Sequence, residues 1–159
     1  MKTLPTVAAA IIAMIASTAN AAEYKLGMLE IDHPWTRATP RGATVAGGYM
    51  TIKNVGSTPD RLIGGSIAVA NRFEIHEMKI DRDVAKMREL KGVDIKPGES
   101  IEFKPGSSHI MFVNLGQQLQ RGATVKGTLT FERAGTIQIE YTVEAIGAQQ
   151  GGRVDGHTH

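Results

Sequence analysis

Apolar and polar side chains alternate along most of the chain, which is the period of a β-strand with one buried face. The clearest run is TIQIEYTVEA at residues 136–145, in which every second residue from Ile137 to Val143 is apolar. TVKGTLTFE at 124–132 shows the same alternation, and Gly135 between the two runs suits a tight turn. These two runs predict an antiparallel hairpin.

Six more alternating runs bring the number of predicted short strands to eight. They are YKLGMLEI (24–31), GGYMTIKN (47–54), DRLIGGSI (60–67), NRFEIHEMKI (71–80), SIEF (100–103) and HIMFVNL (109–115). Lys-Pro-Gly turns at 96–98 and 104–106 separate some of them, and no stretch has a clear helical period. The segment DVAKMREL at 83–90 fits a helical turn, a short strand or a hairpin arm. The pattern therefore predicts an all-β antiparallel sandwich.

The first 21 residues have the features of a secretory signal peptide. Lys2 provides the positive charge, residues 4–16 are apolar, and Ala19-Asn20-Ala21 is a small-x-small cleavage site. We therefore expect a signal peptide at 1–21, a domain at 22–147 and a flexible polar tail at 148–159, in a periplasmic protein. No other run is apolar enough for a membrane span, and the lack of a cysteine after the apolar stretch argues against a lipid anchor.

Charge and cysteine content narrow the classes of function. The chain carries 18 basic and 16 acidic residues without a basic run, which gives little support to nucleic-acid binding. It contains no cysteine, which excludes thiol exchange, thiolate zinc sites and a cysteine-ligated blue copper centre. No Ser/His/Asp arrangement, phosphate loop or dinucleotide fingerprint is present, so we expect a protein that is not an enzyme.

Histidine and methionine recur two residues apart in two predicted strands. In NRFEIHEMKI, His76 and Met78 share a face, and in HIMFVNL the same holds for His109 and Met111. We expect the two His-x-Met segments to lie side by side, with the loop at 80–90 folding Met87 over them. Imidazole and thioether together are neutral and soft, and they suit Cu(I) better than Mg, Ca or Zn. Taken singly, each residue is more often core filler or a structural histidine than a ligand.

The spacing of these residues resembles the periplasmic copper(I) chaperones of the PCuAC type. That family is marked by His, ten residues, Met, twenty-one residues and His-x-Met, which this sequence matches from His76 to Met111. HPWTRATP at 33–40, GGYMTIKN and DRLIGGSI are also similar to the family, so the resemblance covers residues 31–144. It implies a cupredoxin-like Greek-key β-sandwich that binds one Cu(I) for delivery toward the CuA centre of cytochrome c oxidase. The implied ligands are His76, Met87, His109 and Met111. Met78 shares the strand face of His76 and is a candidate ligand by geometry alone, but the family pattern places the ligand at Met87, which leaves Met78 as a neighbour of the site or an apolar wall.

The resemblance also implies a copper-accepting partner, such as cytochrome c oxidase subunit II or a Sco-type assembly factor. The ending His157-Thr158-His159, near Asp155, is a candidate second metal site for Cu(II) or Zn(II). Two rival functions stay open at this point. One is a periplasmic copper sequestration or resistance protein, and the other is a protein-interaction sandwich without metal. A cupredoxin electron carrier is disfavoured by the missing cysteine.

Overall fold

Eleven β-strands make up the computed structural model, which describes residues 23–152. The strands are β1 (Glu23–Leu26), β2 (Leu29–Arg37), β3 (Val45–Asn54), β4 (Asp60–Ile67), β5 (Ala70–Asp81), β6 (Val84–Leu90), β7 (Val93–Ile95), β8 (Ser100–Phe103), β9 (His109–Leu115), β10 (Thr124–Phe131) and β11 (Gly135–Glu144). No helix occurs between residues 23 and 152, so this part of the chain has no helix that could cross a membrane. The all-β prediction is confirmed.

Each of the eight predicted runs forms strand structure, although the boundaries differ. The first run is divided into β1 and β2 by a turn at Gly27, whose φ of 57° is accessible to glycine. The ambiguous segment at 83–90 is a strand, β6, paired with β5 as a hairpin. The predicted hairpin of β10 and β11 is confirmed, and Gly135 begins β11 directly after the turn at a φ of 91°. The three-residue strand β7 was not predicted.

The strands follow the order β6-β5-β9-β3-β2-β11-β10-β4-β7, with β1 beside β2 and β8 beside β3. All pairs are antiparallel except β2 and β11, which run parallel with Trp35 opposite Thr142. The sequence pattern had predicted antiparallel pairing throughout. The parallel pair is possible because most of the chain lies between β2 and β11, so no tight turn dictates their relative direction.

The sheet curls so that its two halves pack face to face around one core. Phe112 of β9 meets Tyr141 of β11 edge to face across this core, with ring centroids 5.1 Å apart. Phe73 of β5 packs on Phe112 from the side at 6.0 Å. Because alternate residues of each strand point inward, the core uses only half of the positions on β5 and β9. The other half lies on the outer face of the sheet.

Candidate metal centre

The predicted ligands lie on the outer face of the sheet, behind the core. Ile75 and Ile110 are direct cross-strand partners that point inward and are almost fully buried. The next pair along the same two strands is His76 and His109, which points outward. Packing of the isoleucine pair fixes the register, since a slip of one residue would bring the histidines into the core. The core therefore determines where the two imidazoles meet.

Met87 reaches His76 from the edge strand β6 and not from a loop. The expected loop at 80–90 is the hairpin of β5 and β6, in which Met78 and Met87 are direct partners. The hairpin places the Met87 sulfur on the same outer face, where Sδ lies 3.4 Å from Nδ1 of His76. Met87 is 51% exposed, so the residue is accessible to solvent and to a partner protein.

The second ring nitrogen of His76 is held by a carboxylate. Nε2 lies 2.8 Å from Oε2 of Glu74, and the other oxygen of that carboxylate pairs with the guanidinium of Arg72. Both side chains are mostly buried, with 17% of His76 and 11% of Glu74 exposed. An ionised carboxylate can only accept hydrogen bonds, so Nε2–H of His76 donates to Glu74. That leaves the lone pair on Nδ1, the atom that faces Met87.

His109 is oriented by the backbone. Its Nδ1–H donates to the carbonyl oxygen of Ser107 at 2.8 Å, because a carbonyl oxygen is only an acceptor. The lone pair of His109 is therefore on Nε2. The ring is buried, and its centroid lies 5.7 Å from that of His76 and 6.4 Å from that of Tyr49.

Met111 lies one outward position beyond His109, opposite Gly47 of β3. Tyr49 lies on the same face and stacks on Trp35 at 4.5 Å, so an aromatic row runs from Trp35 to the histidines. Burial raises the pKa of Tyr49, and the charge of Arg37 partly opposes the shift. A groove of about 270 Å³ beside Met111 is lined in part by Tyr49, Arg37 and His109.

The structure brings three predicted ligands, His76, His109 and Met87, into adjacent positions, and Met111 flanks them along β9. Met78 shares the face but lies opposite Met87, on the side away from Met111. Within residues 23–152, no three His, Asp or Glu side chains gather as a metal-binding group. An ion on this face would therefore depend on the thioethers. The candidate tail site at His157 and His159 lies outside the described residues.

Sequence reasoning missed three parts of this site, namely Glu74, Tyr49 and the carbonyl of Ser107. Glu74 could have been found from the sequence, because it precedes His76 by two residues and so shares its strand face. Tyr49 could not have been found in this way, since its approach to His109 depends on the pairing of β3 with β9.

The comparisons with known proteins agree with one another. The family described as "Putative lipoprotein LpqE-like" matches residues 29–143. A relative from Leifsonia xyli subsp. xyli, named "Putative lipoprotein Lxx21020", is 28% identical over 117 residues, which cover 73% of this chain and 69% of the relative.

Several solved structures are similar to the chain. The apo PCuAC domain of PmoF2 is 32% identical with a TM-score of 0.70, covering 81% of this chain and 99% of that domain. The copper-bound PCuAC domain from PmoF2 is also 32% identical, with a TM-score of 0.68 and coverage of 78% and 98%. Apo-DR1885 from Deinococcus radiodurans, at 21% identity and a TM-score of 0.60, shares the fold over 91% of this chain and 96% of its own. The predicted cupredoxin-like fold is confirmed.

Proposed function

This chain belongs to the LpqE-like family of PCuAC-type copper chaperones, and we propose that it carries one Cu(I) ion toward the CuA site of cytochrome c oxidase. The proposed ligands are two neutral imidazoles and two thioethers. They are His76, Met87, His109 and Met111.

The contact between His76 and Met87 is the observation that carries this proposal. Nδ1 bears a lone pair and the thioether sulfur bears no hydrogen, so the 3.4 Å contact joins two electron-pair donors. Bonds of about 2.0 Å to nitrogen and 2.3 Å to sulfur, as at tetrahedral zinc, place the two donors about 3.5 Å apart. The pair is thus spaced to share an ion of similar size with little movement.

The donor set favours a soft monovalent ion. Neither imidazole nor thioether brings negative charge, so a hard dication would gain no charge neutralisation from these four ligands. The carboxylate nearest to them, Glu74, is already engaged by Arg72 and His76. Copper-bound structures of similar PCuAC domains support copper as the cargo.

Release to a partner is supported by the position of Met87. It stands on the edge strand β6, half-exposed, while His109 is buried at the opposite side of the site. Met87 and its neighbours Met78, Ile80 and Ala85 form an apolar outer face of the hairpin. An acceptor with soft donors, such as oxidase subunit II or a Sco-type factor, would meet the ion at this face. The chain acts in this proposal as a carrier and not as an enzyme.

The proposal includes export to the periplasm after cleavage at Ala21. The lipoprotein names of the family and of its relative support an exported protein. Intact-mass measurement of protein recovered from the periplasm should give a chain that begins at Ala22. Retention of residues 1–21 would contradict this part.

Competition with a chromogenic Cu(I) chelator, under anaerobic reducing conditions, tests the ligand set. Alanine at any one of the four ligands should weaken Cu(I) binding at least about tenfold, because each removes one of few donors to an ion without carboxylate partners. Met78→Ala is the matched control, since Met78 is the cross-strand partner of Met87 on the same face. It should change the affinity less than Met87→Ala does, with circular dichroism confirming that every variant is folded.

The opposite ranking of Met78→Ala and Met87→Ala would show that the ligands are misassigned. Unchanged Cu(I) affinity in all four folded ligand variants would overturn the proposal of a copper carrier. The alternative of a protein-interaction sandwich without metal would then take its place. Sequestration differs from delivery in the fate of the ion. Transfer of Cu(I) from the protein to apo oxidase subunit II or an apo Sco-type factor, faster than its release to buffer, supports delivery.

A further inference from the structure

Glu74 occupies a position beside the candidate site that the ligand spacing leaves unexplained. It lies on β5 directly opposite Met111, one outward position before His76. Only 11% of its side chain is exposed, which is unusual for a carboxylate. One oxygen pairs with Arg72 and the other accepts from Nε2–H of His76 at 2.8 Å. Both carboxylate oxygens of Glu74 therefore have a partner within the chain.

The bond to Glu74 decides which nitrogen of His76 is available. A neutral imidazole carries a hydrogen on only one of its two nitrogens, and the carboxylate acceptor beside Nε2 holds that hydrogen on Nε2. The opposite tautomer would direct a lone pair at the Glu74 carboxylate and an N–H at the sulfur of Met87. Only the first tautomer presents two donor atoms to one ion at the 3.4 Å contact.

His109 reaches the opposite result by a different route. Its Nδ1–H is bound by the carbonyl of Ser107, so Nε2 is its available nitrogen. That acceptor belongs to the backbone and is present whatever side chain occupies position 107. The tautomer of His76, in contrast, depends on one replaceable side chain.

We propose that Glu74 is a positioning residue that holds His76 as the Nε2–H tautomer and so makes Nδ1 its Cu(I)-binding nitrogen. This inference rests on the proposed Cu(I) site. Carboxylate partners of metal-binding histidines fix ring orientation and raise ligand basicity, and their loss typically weakens metal binding by about 10- to 100-fold.

Glu89 provides a matched control for charge. It is the direct partner of His76 on β6, on the same face of the hairpin, but it is exposed and makes no hydrogen bond to His76. Glu74→Ala and Glu89→Ala therefore remove the same charge from beside the same imidazole. Only the first removes the acceptor from Nε2, because alanine, unlike glutamine, has no side-chain oxygen.

The test combines ring-nitrogen NMR of histidine-labelled protein with Cu(I) competition on the full chain. In the apo wild type, His76 should be the Nε2–H tautomer and His109 the Nδ1–H tautomer, with assignments from His76→Ala and His109→Ala. Glu74→Ala should abolish the preference at His76, leave His109 unchanged, and weaken Cu(I) binding about 10- to 100-fold. Glu89→Ala should leave both tautomers unchanged and alter affinity less than about threefold, as expected for an exposed charge.

A His76 that is the Nδ1–H tautomer in the apo wild type would overturn the proposal. Equal losses of affinity in the two alanine variants would also overturn it, because the effect would then be one of charge. Melting temperatures of both variants check that the fold is kept. If the wild type bound no Cu(I), the proposed function would fail, while the NMR spectra would still decide the tautomer of His76.

Discussion

His76 and His109 are direct partners on the adjacent strands β5 and β9, with their ring centroids 5.7 Å apart and their planes tilted by 53°. They are separated by more than thirty residues of sequence, which include the strands β6, β7 and β8. The pairing that joins them is the one that packs Ile75 on Ile110 in the core. Folding of the sandwich and assembly of the imidazole pair are thus one event.

Acid should weaken Cu(I) binding, because protons compete with the ion for both imidazoles. His109→Ala should lower the affinity and also make the affinity depend less steeply on pH, since one fewer imidazole binds protons in competition with the ion. Met87→Ala should lower the affinity but keep the wild-type slope, because a thioether does not titrate. Chelator competition between about pH 5 and pH 8, the range in which histidine charge changes, measures both slopes. Equal slopes in the two variants would contradict two-histidine ligation.

Tyr141→Phe should stabilise the fold. The hydroxyl of Tyr141 is fully buried without a hydrogen-bond partner among the described residues, and burying such a group costs about 1–3 kcal/mol. Phenylalanine keeps the edge-to-face contact with Phe112 and removes that cost. Urea unfolding at neutral pH should show a midpoint at least as high as that of the wild type. A loss above about 1 kcal/mol would show that the hydroxyl has a stabilising partner.

The same variant should differ from the wild type in alkali. Burial raises the pKa of Tyr141 above its ordinary value, so above about pH 10 the unfolded chain loses this proton while the folded chain retains it. The unfolded state then binds fewer protons, and the free energy of unfolding falls as pH rises. Tyr141→Phe removes this contribution, so its advantage over the wild type should grow between about pH 9 and pH 11. A difference in free energy of unfolding that stays constant across that range would contradict the raised pKa of Tyr141 in the folded state.

Gly47→Ala should disturb the wall beside Met111. A Cβ at Gly47 would overlap the ring and hydroxyl of Tyr49, which Trp35 confines from another side. Overpacking of this kind typically costs about 1–3 kcal/mol, and the near-ultraviolet circular dichroism of the aromatic row should change with it. Gly64→Ala on β4 is the control, because a Cβ there meets no atom within 4 Å. Equal losses of stability in the two variants would point to a general effect of replacing glycine.

The C-terminal segment covers the single tryptophan as far as the structure describes it. Arg37 donates from Nε to the carbonyl of Ala148 at 2.7 Å, and a Cβ at Gly151 would lie 2.9 Å from Cδ1 of Trp35. Deletion of residues 153–159 should therefore leave the tryptophan emission unchanged, while deletion of 149–159 should shift it to longer wavelength. Both deletions remove His157 and His159, so both should weaken Cu(II) or Zn(II) binding if the tail holds a second site. Identical spectra for the two truncated proteins would contradict the covering role of Gly151.

Alternation of side chains was enough to predict most strands, since apolar positions such as Ile137 and Ile139 face the core in a period of two. It could not decide β6, because nearly all residues of that strand are exposed and its apolar side chains face outward. The parallel pairing of β2 with β11 was also beyond reach, because no local turn encodes it. The expectation that Met87 lies on a loop was wrong because the exposed strand β6 has no buried face to reveal it in the sequence.

The sequence supplied candidate ligands for the site but not the geometry that relates them. Spacing identified His76 and Met87, yet the sequence could not show that a hairpin brings Nδ1 to the sulfur. Which nitrogen of each imidazole carries hydrogen depends on Glu74 and on the carbonyl of Ser107, and a backbone carbonyl leaves no mark in a sequence. Orientation of the rings therefore required coordinates.

Core and site use alternate residues of the same two strands, and this arrangement affects how such a protein can diverge. Replacement of an outward residue such as Met111 leaves the inward neighbours Ile110 and Phe112 in place. Descendants of a common ancestor can therefore change, weaken or lose their donor set by single substitutions while inheriting the sandwich intact. Similarity of fold alone would not reveal such a change, so cargo has to be inferred from the outward positions of each homologue.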